Sequence, residues 1–226
     1  MDGRESKGEA RPATAGRAAA WPFRRRTAAA GSYLYGVVRP QGERAPRLAG
    51  AFERVRYRDV EALARPTPFD LPPLDPSELL EHQKVVDAVL WQTTILPAPP
   101  GVVFRNRRLL FRFLEEQYLT LDAGLSFLDG HWEVRLHIEV ARGVEARGGL
   151  LEQANLLYGE LRRLARAAVP FPREGRDRLL GAAFLVDRTR WIAFIERAEE
   201  LGALRPALVL DLTGPWPPYD FVKLVA

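Results

Sequence analysis

Three prolines, a glycine and three aromatics fall within eight residues of one run near the C-terminus, Asp211 to Leu224, DLTGPWPPYDFVKL. Pro215, Pro217 and Pro218 fix φ and remove backbone donors. They also push Gly214, Trp216 and Pro217 toward extended geometry. The segment is excluded from a helix. It is expected to run as a stiff extended strip that presents Trp216, Tyr219 and Phe221. Two uses fit such a strip. Its rings can seal an open sheet edge, or they can anchor a partner, since Trp and Tyr are preferred at interfaces.

The rest of the chain predicts a mixed architecture. Tyr33–Val38 and Phe52–Arg58 read as strands, and Val60–Arg65 continues the second or begins another. Pro66–Pro76 is a proline-rich connection. Ser77 is the expected cap of a helix over Glu78–Gln92, with Leu79, Val86 and Leu90 on its buried face. Thr93–Leu96 and Val102–Phe104 are short strands. Asn106 caps a single long helix reaching about Leu128. From Trp132, apolar Val134, Leu136, Ile138 and Val140 alternate with Glu133, Arg135, His137 and Glu139. That pattern makes a strand with one face buried and one wet. Leu150–Ala168 reads as a helix ended by Pro170 and Pro172. Ala182–Val186 and Ala207–Leu210 read as central strands around a helix that begins after Asp187 and closes at Gly202.

The order after Trp132 is therefore β-α-β-α-β. The expected fold class is α+β, two small α+β domains, the second a modified ferredoxin-like sandwich. The expected limits are a disordered basic tail over 1–30, an N-terminal domain over 31–105, a bridging helix over 106–130 and a C-terminal domain over 131–226.

Charge places the basic excess outside the folded part. Of the net +4, residues 1–30 supply all: seven Lys/Arg against three Asp/Glu, with Arg24–Arg26 among them. Residues 31–226 hold 26 of each sign. A nucleic-acid binder usually shows a basic bias in its folded domain. A ferredoxin-like nucleic-acid-binding module, stacking bases on its sheet aromatics, stays as the alternative function. There is no cysteine, which excludes disulfides and thiolate chemistry and fits a reducing compartment. No apolar run approaches the roughly 20 residues that span a bilayer. The expectation is a cytoplasmic protein, without membrane association.

Chemistry-bearing residues are scattered. His82 lies on a helix with Glu78 one turn away, a simple pair, and His131 and His137 lie along the alternating strand. No further ligands converge on them, so no metal, cofactor or catalytic residue is expected. No glycine-rich phosphate loop precedes a helix. Arg105, Arg107, Arg108 and Arg112 read as a solvated basic patch that exposed Glu115 and Glu116 can pair.

The terminal strip resembles the C-terminal signature of the gas vesicle protein F/L family, Gly-Pro-Trp-Pro-Pro-Tyr-x-Phe. Further matches follow the family's order. Glu81–Val86 is similar to its His-x-x-Val helix start. Thr94–Pro97 and Gly101–Phe104 stand where it has Leu-Pro-x-Arg-Phe-Gly-x-Val-Phe, and Tyr33–Val38 is similar to its opening strand. Pro99 and Pro100 replace the family's Arg-Phe, and the stretch from Val140 to Ala182 is short. The resemblance implies two α+β domains and a non-enzymatic accessory or structural protein of gas vesicle assembly, located at the gas vesicle within the cytoplasm. The implied partners are the small hydrophobic shell protein and other gas vesicle accessory proteins. The implied contact residues are Trp216, Pro217, Pro218, Tyr219 and Phe221.

Overall fold

Two antiparallel sheets organise the chain. The computed structural model describes residues 30–40, 52–69, 74–144, 148–172, 178–222 and 224. The expected disorder of the basic tail, Arg24–Arg26 included, lies outside these residues.

The first sheet is built on β1 (Ala30–Val38), whose residues from Ser32 to Val38 are buried on both faces. On one side it pairs with β3 (Val60–Pro68), which forms a hairpin with β2 (Glu53–Tyr57). Arg58, at φ 53, heads the two-residue turn. On the other side β4 (Ile95–Pro97) and β5 (Val103–Phe104) pair in succession with the two ends of β1. Gly36 makes the β4 approach possible. A Cβ there would lie 2.7 Å from the Leu96 carbonyl oxygen, closer than real side chains allow.

Helix α1 (Pro76–Leu90) is capped by Asp75, two residues before the expected cap Ser77. Asp75 Oδ1 accepts from the Ser77 and Glu78 amides, and the Glu78 carboxylate accepts from the Asp75 amide. Ser77 is therefore inside the helix, its hydroxyl turned back to Asp75. This reciprocal box satisfies orphan donors that Ser77 alone would leave open. The buried face is His82, Val86, Val89 and Leu90. Leu79, expected on that face, is 44% exposed.

The expected long helix is two helices, α2 (Arg107–Glu116) and α3 (Tyr118–Leu128). Asn106 caps the first, its side chain accepting from the Leu109 amide. Gln117 leaves helical geometry at φ −97, ψ 7, yet hydrogen bonds bracket it on both sides. The apolar stripe runs unbroken through this joint, so periodicity carries no sign of it. Both helices pack on the first sheet, in a cluster with Leu34, Val37, Ala62 and Ala64 that also takes in Leu185 of the second.

The second sheet runs β6 (His131–Val140), α4 (Leu150–Arg162), β7 (Ala167–Phe171), β8 (Arg178–Asp187), a single 3-10 turn at Arg188–Arg190 capped by Asp187, α5 (Trp191–Ala203) and β9 (Leu208–Trp216). The order across the sheet is β7-β8-β6-β9, all neighbours antiparallel. The expected β-α-β-α-β is thus β-α-β-β-α-β, the full ferredoxin-like arrangement. The extra strand is β7. Pro170 does not stop a helix but sits in an edge strand, where its missing donor faces away from the sheet. Helices α4 and α5 cover the face of Val134, Leu136, Ile138, Ala182, Phe184 and Val186. The other face of β6 is not uniformly wet, since Glu133 is 0% exposed.

Two glycines test this packing with opposite signs. Gly36→Ala is expected to lower the unfolding free energy by about 1–3 kcal/mol, because the backbone it meets cannot move aside. Gly159, inside α4, has open space where a Cβ would go. Gly159→Ala is expected to raise stability by about 0.5–1 kcal/mol. Urea titrations of both variants check the pair.

Candidate binding site around the C-terminal strip

The strip begins inside β9. Glu133 of β6 pairs with Trp216, with an irregularity in register just before it. Gly214 at φ +135 permits this approach, since a Cβ would lie 2.9 Å from the Glu133 carbonyl oxygen and 3.2 Å from Trp191. The Gly214–Pro215 peptide is cis. Trp216 Nε1 donates to Thr213 Oγ1 at 3.0 Å. Pro217 and Pro218 are buried. The chain then turns, the Tyr219 amide donating to the Pro217 carbonyl and the Phe221 amide to the Pro218 carbonyl.

The turn drops Tyr219 onto His82. The imidazole is 2% exposed and makes three polar contacts. Nδ1 lies 2.8 Å from Tyr33 Oη, and Nε2 lies 3.1 Å from the Ala98 carbonyl oxygen and 3.2 Å from Tyr219 Oη. A carbonyl only accepts, so Nε2 carries the proton and Nδ1 accepts from the Tyr33 hydroxyl. Tyr33 Oη in turn accepts from the Gly101 amide at 3.3 Å. Tyr35 stacks on the imidazole, ring centroids 5.4 Å apart. Burial lowers the His82 pKa to about 4, the Ala98 bond opposing it. Burial likewise raises Tyr35 to about 12 and pushes Tyr33 and Tyr219 upward. The cluster is neutral throughout the physiological range.

Asp220 makes the second attachment. Its amide donates to Glu133 Oε2 at 3.1 Å. Its carboxylate holds Arg135, Nη2 to Oδ2 at 2.9 Å, and Arg135 Nε also donates to Glu133 Oε1 at 2.8 Å. Burial first, then Asp220, pushes Glu133 up to about 8, with Arg135 pulling the other way. Phe221, Val222 and Leu224 finish the run against the α2–α3 cluster. The strip therefore straps β6 to α1, to β1 and to α3. Pro217 and Pro218 are buried, and Tyr219 and Phe221 pack against the two clusters of the first sheet.

One side of the strap stays open. A cleft of about 440 Å³ lies between it and the start of α1, lined by Leu79, Gln83, Pro100, Trp216, Pro217 and Tyr219. Pro100 stands in the corner where the sequence departs from its resemblance, so that corner and the strip share one cleft. Leu79 has no sequence signal for this role, since its helical position reads as core. A smaller cleft of about 240 Å³ lies beyond Arg135 and Asp220, with His137, Phe171 and Arg178. His137 Nδ1 and Arg178 Nε are buried there without a hydrogen-bond partner. His131 bonds the Asp129 carbonyl near the surface. Among the described residues no three His, Asp or Glu side chains gather as a metal site. Of the basic patch, Arg107 pairs with Glu53 and donates to the Arg54 carbonyl, and Arg105 lies over Phe69.

A second seam escaped the sequence entirely. Trp91 at the end of α1, Trp132 on β6 and Trp191 on α5 meet edge to face, at 5.1 and 5.6 Å between centroids. Arg188 covers Trp132 and donates to the Leu90 carbonyl.

Comparison with known proteins gives a consistent set of relatives. A family model described as gas vesicle synthesis protein GvpL/GvpF matches residues 31–150 and 146–223. The chain is 30% identical over 248 residues to gas vesicle protein L of Streptomyces sp. (strain CB03234). It is 25% identical over 203 residues to gas vesicle protein F2 of Halobacterium salinarum (strain ATCC 700922 / JCM 11081 / NRC-1). Each match covers 85% of this chain and 92% of the relative. Two crystal structures share the fold. Gas vesicle protein GvpF from Anabaena sp. PCC7120 has a TM-score of 0.69 at 19% identity, covering 87% of this chain and 98% of that one. GvpF from Microcystis aeruginosa has a TM-score of 0.70 at 16% identity, covering 86% and 99%.

The neutral His82 makes stability pH-dependent. Its folded pKa of about 4 lies below the unfolded value near 6.5, so the unfolded chain takes up the proton first. Stability is complete above pH 6.5 and falls as pH drops toward 4, by about 3 kcal/mol in all. Glu133 acts oppositely. Its folded pKa is raised, so its share is present at low pH and is lost as pH rises from about 4.5 to 8. The two overlap, and the difference between wild type and His82→Gln isolates the imidazole. Urea midpoints from pH 4 to 8 should show wild type losing ground to His82→Gln only on the acid side.

Proposed function

Because this chain belongs to the gas vesicle synthesis protein GvpL/GvpF family, we propose that it is a non-enzymatic accessory protein of gas vesicle assembly that binds shell or other accessory subunits through the cleft beside its terminal strip. The family match, which runs from residue 31 to residue 223, carries this reading. The physical chemistry of the cleft supports it. A gas-filled shell needs subunits with a strongly apolar surface, and such subunits need a soluble partner before they assemble. Leu79, Pro100 and Trp216 offer apolar surface to a partner. The strap behind them is held at His82 and Asp220, so little freedom is left to lose on binding.

The same reading takes in the remaining expectations. Residues 31–105 and 131–226 form two domains, one on each sheet, with α2 and α3 between them. Trp216, Pro217, Pro218, Tyr219 and Phe221 divide the work. Trp216 and the edge of Tyr219 face the partner, while Pro218 and Phe221 hold the strap. The protein works at the gas vesicle in the cytoplasm. Among the described residues no helix is long and apolar enough to cross a membrane.

Leu79 separates binding from folding. It is exposed, so Leu79→Lys should move stability by no more than about 0.5 kcal/mol. At an interface anchor the same change should weaken capture of the partner subunit roughly tenfold or more. Pull-downs with purified shell and accessory subunits from the same gas vesicle cluster, beside melting curves, give both readings. Wild-type protein that captures none of them, together with normal vesicles after its deletion, would overturn the proposal.

A further inference from the structure

A groove of about 640 Å³ lies between α5 and β9, where the terminal strip begins and before it turns onto α1. Trp191, Ile195 and Ala198 form its helix wall, and Leu210 and Leu212 its strand wall. Acidic groups flank it: Glu199 stands on the helix rim, and Asp211, between Leu210 and Leu212, carries its side chain on the opposite face of the edge strand; both are exposed, and neither holds an ion pair among the described residues.

The strand wall is a sheet edge. β9 pairs with β6, and no described strand lies on its other side. The register identifies the backbone groups left over. Ala141 N donates to the Ala207 carbonyl, and Val209 and Asp211 stand opposite Glu139 and His137. Alternate residues of an antiparallel strand bond to opposite sides. Val209, Asp211 and Thr213 therefore bond to β6, and the backbone N–H and C=O groups of Leu210 and Leu212 point to the free edge.

The other sheet edges are blunted. β7 carries Pro170. β2 carries Arg54 and Arg56, and the Arg107 side chain reaches over to the Arg54 carbonyl. β4 and β5 are three and two residues long. From Leu208 to Thr213, β9 has neither proline nor a basic residue, the usual devices that deter edge pairing. It also lies beside a hydrophobic trough.

We propose that this groove binds an extended, basic segment of a partner protein, added to β9 as a further strand. Alternate apolar side chains of that segment enter the trough against Trp191, Ile195 and Ala198. Intervening Lys or Arg side chains face the other side of the sheet and reach Asp211, Glu199 on the helix rim adds to the negative field, and Leu210 and Leu212 supply the main-chain bonds. A second copy of this chain fits poorly. Pairing β9 with itself through Leu210 and Leu212 sets the two Asp211 residues opposite each other, and like charges across strands are unfavourable. The surface is separate from the cleft at the strap, and Leu79→Lys leaves it intact.

The test uses the full chain and a synthetic eight-residue peptide of alternating Val and Lys. Controls are a Val/Glu peptide and a scrambled Val/Lys peptide. Fluorescence anisotropy should show binding of the alternating basic peptide alone. Asp211→Lys and Glu199→Lys should each weaken it at least fivefold without changing the melting temperature. Amide exchange followed by NMR should slow at Leu210 and Leu212 on binding. Equal binding of the scrambled peptide, or binding untouched by both charge reversals, overturns the proposal. So does concentration-dependent dimerisation that protects Leu210 and Leu212 without peptide, which would make the second copy the occupant.

Discussion

The hydrogen bond from His82 Nε2 to the Tyr219 hydroxyl joins residues 137 positions apart and fastens the second sheet's terminal strip to the first sheet's first helix. Each sheet has helices of its own to bury against, and the two cores meet where Leu185 and Ala167 of the second sheet pack into the first sheet's cluster. A short strap from the last strand of the second sheet onto the first helix of the first fixes their orientation across that contact. The imidazole is suited to that task because it both donates and accepts. It accepts a hydrogen bond from the Tyr33 hydroxyl on Nδ1 and faces the Ala98 carbonyl and Tyr219 hydroxyl with Nε2. Replacing it with an aliphatic residue would leave those buried groups without a partner, at about 1–3 kcal/mol each.

The strap works because its prolines remove freedom before folding begins. Pro215, Pro217 and Pro218 restrict the unfolded chain, so less entropy is lost when the segment docks. Asp220 then fixes its direction through Arg135 and the buried Glu133. A buried carboxyl beside a guanidinium is a poor source of stability in general. Here it sets geometry, holding β6 and the strap in register where the strand ladder becomes irregular. The tryptophan seam of Trp91, Trp132 and Trp191 reinforces the same junction from the other end of α1.

Much of this was legible in the sequence where local pattern and tertiary environment agree. The alternation from Trp132 to Val140 gave β6 because Val134, Leu136 and Ile138 on one face are fully buried. The apolar runs around Ala182 and Ala207 gave β8 and β9, and Asn106 gave a true cap. Where environment overrides pattern, the reading failed. Glu133 looked solvated because its strand alternates, but Asp220 lies over it from 87 residues away. Strand β7 was hidden by Pro170, which an edge position tolerates. Ser77 looked like a cap because Asp75 precedes a proline, whereas that proline is the first helical residue. His82 did carry a signal: Val86, Val89 and Leu90 follow it at helical spacing, which marks it as part of the buried face. The strip's composition announced stiffness and recognition, but the sequence has no local mark for what it would be fastened to.

The claim that the strap holds the two sheets together is most directly tested by hydrogen exchange with mass spectrometry across a urea series, on wild type and Tyr219→Ala. Peptides from 31–104 report the first sheet and peptides from 131–213 the second. The account predicts that wild-type amides in both sheets open together, and that Tyr219→Ala lets the two sets open at separate urea concentrations. A single shared transition in Tyr219→Ala, at the wild-type midpoint, would contradict it.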